Sequence, residues 1–231
     1  MKLKLETFIS LKTPLARRRI LALLTAHKIS VNGKIATDLM MIIDPHKDKV
    51  KVESSMLSSE VPAFAYYKFY KPKDVVSTMG DPAGRRNLEE FVRKLPEYVF
   101  PVGRLDRQTT GLLLFTNNGE FANKLCHPQY HVSKRYRVTV DKKVTKNDLL
   151  RFENSMILED GPFKFKKVEL VEPSVLMVSL EEGRNRIVRR ACAHLGYEVI
   201  RLKRYAIGNI ELGDLPEGHF KKLTKVEVSL L

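Results

Sequence analysis

The stretch FPVGRLDRQTTGLLLFTNNG, residues 100–119, sets one carboxylate, Asp106, between Arg104 and Arg107 and just ahead of four apolar residues. An acid in such a loop can serve as a nucleophile, as a base, as one half of a structural ion pair or as a helix cap. Spacing alone leaves all four open. A carboxylate that attacks or takes a proton has to be ionised and dry. Burial tends to protonate it, whereas a neighbouring guanidinium keeps it charged and also draws in phosphate. A second basic group lies in RNRIVRRACAHLG, residues 184–196. There Arg186, Arg189 and Arg190 recur at i, i+3 and i+4, which places them on one face of a predicted helix. Ile187, Ala191 and Leu195 can bury a neighbouring face, and Gly196 is placed to stop the helix. One of these arginines can reach inward to an acid while the others meet phosphate, although a simple solvated face has the same pattern. Tyr136, in the alternating segment KRYRV, suits either a core position or a ring stacked on an extruded base, a contact of about 1–3 kcal/mol.

His127 and His131 lie near Cys126 and invite a metal reading. Pro128 would break a helix presenting both, and no carboxylate or second thiol completes the set, so no metal is expected. The chain has no Gly-rich phosphate loop, serine elbow or dinucleotide fingerprint, and no cofactor is expected. The formal charge is +14 over 231 residues. It is spread along the chain, with 11 Lys/Arg against 6 Asp/Glu in residues 1–60 and 30 against 21 in the remainder. A basic excess of this kind attracts polyanions, nucleic acid first among them. No long basic amphipathic helix points to a membrane surface, and LMMII is far too short to cross a bilayer. Two distant cysteines exclude a disulfide framework and suit a reducing compartment. MKLKLETFIS lacks the apolar core of a signal peptide. The expectation is a soluble, cytoplasmic protein, acting as a monomer.

The elements that must position these residues read as α+β. Residues 1–53 form a small unit. Leu5, Phe8, Ile9 and Leu11 mark one helix, and Ile20, Leu21, Leu23 and Leu24 a second that begins near Pro14 with Arg17, Arg18 and Arg19. At least two of those arginines should face solvent, as a plain charged surface or as a nucleic-acid contact. ISVNGKIA then carries an Asn-Gly hairpin signal, with Lys34 just past the turn. Serine-rich, aperiodic residues 54–63 read as a linker. From residue 64 to 231 strands dominate, in FAYYKFY, YRVTVDK, FKKVELVE, VLMVSLE and EVIRLKRYAI. Helices are predicted at 88–95, 120–125, 144–155 and 184–196. Strands grouped in runs, with helices between, favour α+β over alternating βαβ.

Together these blocks resemble the RsuA-type family of RNA pseudouridine synthases. YKPKDVVSTMGDPAGRRNL is similar to the family's first block and GRLDRQTTGLLLFTNNG to its active-site block. KRYRV resembles the tyrosine block and EEGRNRIVRRACAHLGYEVIRLKRYAIG the C-terminal one. Residues 3–52 resemble the family's small S-four-type RNA-binding module. The resemblance implies an N-terminal S-four-type domain and a catalytic domain with a mixed, largely antiparallel sheet whose cleft holds the acid. It implies that Asp106 is the catalytic aspartate, that Tyr136 packs against the target base and that Arg189 pairs with Asp106. Arg17, Arg18, Arg19, Lys34, Arg104, Arg107, Lys134, Arg186 and Arg190 are the expected RNA contacts. The implied partner is RNA, either ribosomal RNA or a ribosomal assembly intermediate. Transfer RNA as substrate, or RNA binding without catalysis, are the other readings. Two positions depart from the family pattern: Ile187 stands where Gln is common, and Ala16-Arg17 replaces a Ser-Arg pair.

Overall fold

In the computed structural model, which describes residues 2–229, alternation of apolar side chains translates into strands of one large sheet. Its order is Lys167–Glu172, Val175–Leu180, Lys134–Val140, Val199–Ile207, Thr110–Thr116, Tyr66–Lys71 and Phe220–Lys222. Ile210–Glu211 and Phe100–Val102 add short pairings to Val199–Ile207 and Thr110–Thr116. Every neighbour is antiparallel except one: Val199–Ile207 runs parallel to Thr110–Thr116, with Lys203 opposite Thr110 and Arg204 opposite Gly111. The sheet is therefore mixed and largely antiparallel.

Leu112, Leu113, Leu114 and Phe115 are fully buried, because both faces of their strand are covered. Leu113 and Phe115 belong to a large apolar cluster with Phe69, Val138, Leu176 and Val188. Leu112 and Leu114 belong to a smaller one on the other face with Phe121, Leu125 and Ile207. The helix Gly119–Cys126 that covers this second face starts at Asn118, whose side chain accepts from the amides of Glu120 and Phe121. Lys146–Glu153 opens on a capping box between Thr145 and Asp148.

The first fifty or so residues make a separate apolar cluster around Leu5, Phe8, Ile20, Leu23, Ile29 and Val50. Helices Leu5–Lys12 and Arg17–Thr25 pack on strands Ile29–Val31, Lys34–Ile35 and Val50–Val52. Asn32 and Gly33 both have positive φ, 53° and 80°, as a tight hairpin turn requires. The second helix starts at the three arginines, at Arg17 after Ala16. One detail differs from the sequence reading. The expected linker begins later: Ser55–Met56 pairs with Val50–Val52, and Leu57 and Val61 pack on the small cluster. Four serines masked this, because a two-residue edge strand carries no periodicity. Among the described residues no helix is long and apolar enough to cross a membrane.

Candidate active site

Four residues lie in one transverse row of the sheet. Lys71 is opposite Gly111, Gly111 is opposite Arg204, and Arg204 is opposite Tyr136. The row is tight at its middle. Gly111 has φ +105°, and a Cβ there would lie 2.1 Å from the carbonyl oxygen of Arg204. Only glycine admits the parallel strand this closely. A register shift between Arg135 and Tyr136 marks a bulge that sets Tyr136 against Arg204.

Above this row lies a cavity of about 460 Å³, lined by Asp106, Tyr136, Lys134, Arg204, Arg104 and Arg186 among others. Its volume is that of a small-molecule pocket, which run roughly 300–1,000 Å³. Asp106 is half-buried at the lip of a short turn in which the Thr109 amide donates to the Asp106 carbonyl at 3.0 Å. Ser77 fixes the residue before it. Its Oγ donates to the Leu105 carbonyl at 2.7 Å and accepts from the Leu105 amide at 3.1 Å. Asp74, itself at φ +63°, accepts from the Gln108 side chain at 2.6 Å, and its amide donates to the Arg107 carbonyl at 2.8 Å.

Beneath the turn, Lys71 is fully buried. Its Nζ donates to the carbonyls of Pro72 and Val75 at 2.7 Å each and to that of Arg107 at 3.4 Å. Burial pushes this ammonium down to about 8, opposed by the charges of Asp74, Asp106 and Glu217. Lys71 therefore joins the segment after its own strand to the Asp106 turn and puts a cation within the field of the acid. Replacing Lys71 by Met should strand three carbonyls and cost about 2–4 kcal/mol, read as a lowered denaturation midpoint with reduced turnover.

Arg189 does not form the expected ion pair. Its guanidinium donates to the carbonyls of Val199 at 2.8 Å and Gln108 at 3.4 Å, and its Nε is buried without a partner among the described residues. Burial and the nearby Arg186 push its pKa down, while the charge of Asp106 raises it, so the two groups are electrostatic neighbours without touching. The carbonyls win because the guanidinium spans from the end of its own helix region to the turn. Arg186 is not on the helix either. It precedes Ile187–His194 in a left-handed conformation, φ 49°, exposed and directed into the cavity wall. Arg190 is held by Asp160 at 2.6 Å through Nη2 and by the Asn185 carbonyl at 2.9 Å through Nε.

Tyr136 is buried, and its hydroxyl accepts from Arg204 Nη1 at 3.4 Å. Arg104 and Arg107 are exposed, and Arg107 sits 3.5 Å from Asp74. The arginines that flank Asp106 in the chain are thus exposed, Arg104 at the cavity wall, while the charge of Asp106 acts on Lys71 and Arg189. Lys134 is half-buried in the cavity, donating to the carbonyls of Val132 and Glu181. On the small unit Arg17, Arg18, Arg19 and Lys34 are all exposed, with Arg17 2.8 Å from Glu6 and Arg19 3.5 Å from Glu53. His131 pairs with Glu181 at 3.2 Å, while His127 accepts from the Gln129 amide, so the two histidines do not converge.

Sequence reasoning missed Lys71, Ser77 and Arg204 as parts of this site. A lysine closing an aromatic-rich strand, directly before Pro72, was the available signal for the first.

The family profile of the RNA pseudouridylate synthases matches residues 65–194, the segment that holds Lys71, Asp106, Tyr136 and Arg189. A ribosomal large subunit pseudouridine synthase B of Bacillus subtilis (strain 168) is 38% identical over 222 residues, covering 94% of this chain and 90% of that one. An uncharacterized RNA pseudouridine synthase of Aquifex aeolicus (strain VF5) is 35% identical, covering 100% of this chain and 94% of that one. A crystal structure of a pseudouridylate synthase superposes with a TM-score of 0.68 at 28% identity, covering 99% and 100% of the two chains. The chain belongs to the RNA pseudouridine synthases, in their RsuA-type branch.

Proposed function

We propose that this protein isomerises a uridine of ribosomal RNA, in the large subunit, with Asp106 acting at the sugar and Tyr136 against the flipped base. The observation that carries this reading is that Asp106, in a turn, and Tyr136, on a strand thirty positions later in the chain, line one cavity of a nucleoside's scale. The names of the relatives from Bacillus subtilis and Pasteurella multocida support the large subunit as the source of the target.

The chemistry needs one carboxylate and no outside reagent. Asp106 either bonds to C1′ or takes a proton from C2′, and in both routes the C1′–N1 bond breaks with its electron pair leaving on the base. The base turns within the cavity and C5 bonds to C1′ as the Asp106–C1′ bond breaks with its electrons returning to the carboxylate or, in the second route, as Asp106 gives the proton back to C2′; the C5 proton then passes to solvent and N1 gains a proton. No atoms are gained and nothing is oxidised. Extruding the nucleotide costs a few kcal/mol, which stacking on Tyr136 partly offsets.

The small N-terminal unit acts in this reading as an S-four-type RNA-binding module. Arg18 and Lys34, exposed and without side-chain partners among the described residues, are two of its free cations. Changing Arg17 and Arg18 together to Glu should weaken RNA binding and reduce the slope of log affinity against log salt by about 1–2. Titration at several salt concentrations checks this, and an unchanged slope removes the unit from the RNA contact.

The deciding test is tritium release from RNA labelled at C5 of uridine, run on large-subunit, small-subunit and transfer RNA in parallel. Release from large-subunit RNA alone is expected. Release confined to transfer RNA, or absent throughout, overturns the reading.

A further inference from the structure

The cavity lining brings together two cations, Arg204 and Lys134, whose charges act on each other. Arg204 is 3% exposed, yet it projects from the middle of the sheet row into the cavity lining. Its Nε donates to the Leu112 carbonyl at 2.8 Å and Nη1 to the Tyr136 hydroxyl at 3.4 Å, while Nη2 is buried with no partner among the described residues. The guanidinium carbon lies 6.0 Å from the centre of the Tyr136 ring. Lys134, two residues before Tyr136 and so on the same face of the strand, lines the same cavity. It donates only to two backbone carbonyls, which leaves one of its three N–H groups over. Burial and the charge of Arg204 both push the Lys134 ammonium below its usual range. Among the described residues neither cation is within salt-bridge distance of a carboxylate, since Glu181 is engaged by Lys166 and His131.

Two like charges held together, one buried and the other half-buried, each with an unused donor, are costly unless an anion visits them. We propose that Arg204 and Lys134 receive the carbonyl edge of the uracil and counter the negative charge it carries once it has parted from the sugar. This rests on the functional reading above.

The ligand chemistry follows from what surrounds the pair. Tyr136, the expected stacking platform, is bonded to Arg204. The neighbouring wall is apolar, with Val102, Leu125 and Ile207, which suits the face of a flat base and not a phosphate. Asp106 acts on a different pair of cations, Lys71 and Arg189. In this arrangement the acid serves the sugar and the Arg204–Lys134 pair serves the departing base. When C1′–N1 breaks, both electrons go to the base, and the charge spreads to O2 and O4. Donors already aimed at developing charge in a dry site are a large source of rate.

The test compares target RNA carrying uridine with the same RNA carrying 5-fluorouridine at that position, both followed by loss of the starting nucleoside under single turnover. Fluorine withdraws electrons, so its base leaves as a better anion without help. Arg204→Met should slow uridine at least about 100-fold but 5-fluorouridine by about 10-fold or less, with RNA affinity within about 3-fold of wild type. Lys134→Met should show the same contrast, with about a 10-fold loss on uridine, and Arg204→Lys should recover part of the rate. If Arg204→Met does not fold, as judged by circular dichroism, the Lys134 and Arg204→Lys variants carry the comparison. Equal losses on both substrates would assign the pair a structural role and overturn the proposal. A wild-type protein that leaves both RNAs unchanged would instead sink the functional reading, and the inference with it.

Discussion

Replacing Asp106 by Asn should remove turnover, by at least about 10⁴-fold, while RNA affinity stays within about 3-fold. The substitution keeps size and most hydrogen bonding, and it alters no core packing because the side chain is only half-buried at the cavity lip. What it takes away is the nucleophilic or basic oxygen. The turn itself should survive, because its geometry comes from Ser77 on Leu105, from Lys71 on the Arg107 carbonyl and from the Thr109 amide, none of which uses the Asp106 side chain. Single-turnover tritium release together with filter binding separates the two effects. Substantial residual turnover would show that the chemistry lies elsewhere in the cavity.

Gly111→Ala should be the most damaging single methyl in the catalytic sheet. A Cβ there would meet the Arg204 carbonyl oxygen at 2.1 Å and its amide nitrogen at 2.8 Å, and all of these atoms are backbone. No rotamer change relieves the clash, so the strands have to part. The φ of +105° adds a conformational penalty for any L side chain. Together these predict a loss of about 2–5 kcal/mol, measurable as a fall in the denaturant midpoint. Turnover in the folded fraction should fall too, because the displaced strand carries Arg204. By contrast, Gly33→Ala has open space around it and faces only the turn's own φ of +80°.

Much of this was legible from residue types. The strands around Phe69, Val138, Leu176 and Leu202 follow from alternation, and Asp106 stood out as an acid in a basic loop. Asn118 and Thr145 act as the caps their types suggest. What was not legible depended on pairing between distant segments. Arg204 reads as one more charged position in an alternating strand, and only the parallel register with Gly111 and the bulge at Tyr136 reveal where it sits. Lys71 is similar. Its burial is invisible until the Pro72, Val75 and Arg107 carbonyls converge on it. Arg189 shows the converse failure. It was expected to pair with Asp106, but backbone acceptors, which sequence patterns do not display, took its donors. Arg190 likewise has a partner that the pattern did not display, Asp160, thirty residues earlier in the chain.

The lone parallel seam has a consequence for biosynthesis. Arg204 reaches back across 92 residues to the Leu112 carbonyl, and no tight turn can make such a pairing. A polypeptide still emerging from the translating ribosome holds Asp106 and Tyr136 well before Arg204 has been made, so the pocket has no floor. The parallel seam can close only after the chain has been made through Arg204, so this long-range contact forms late in folding.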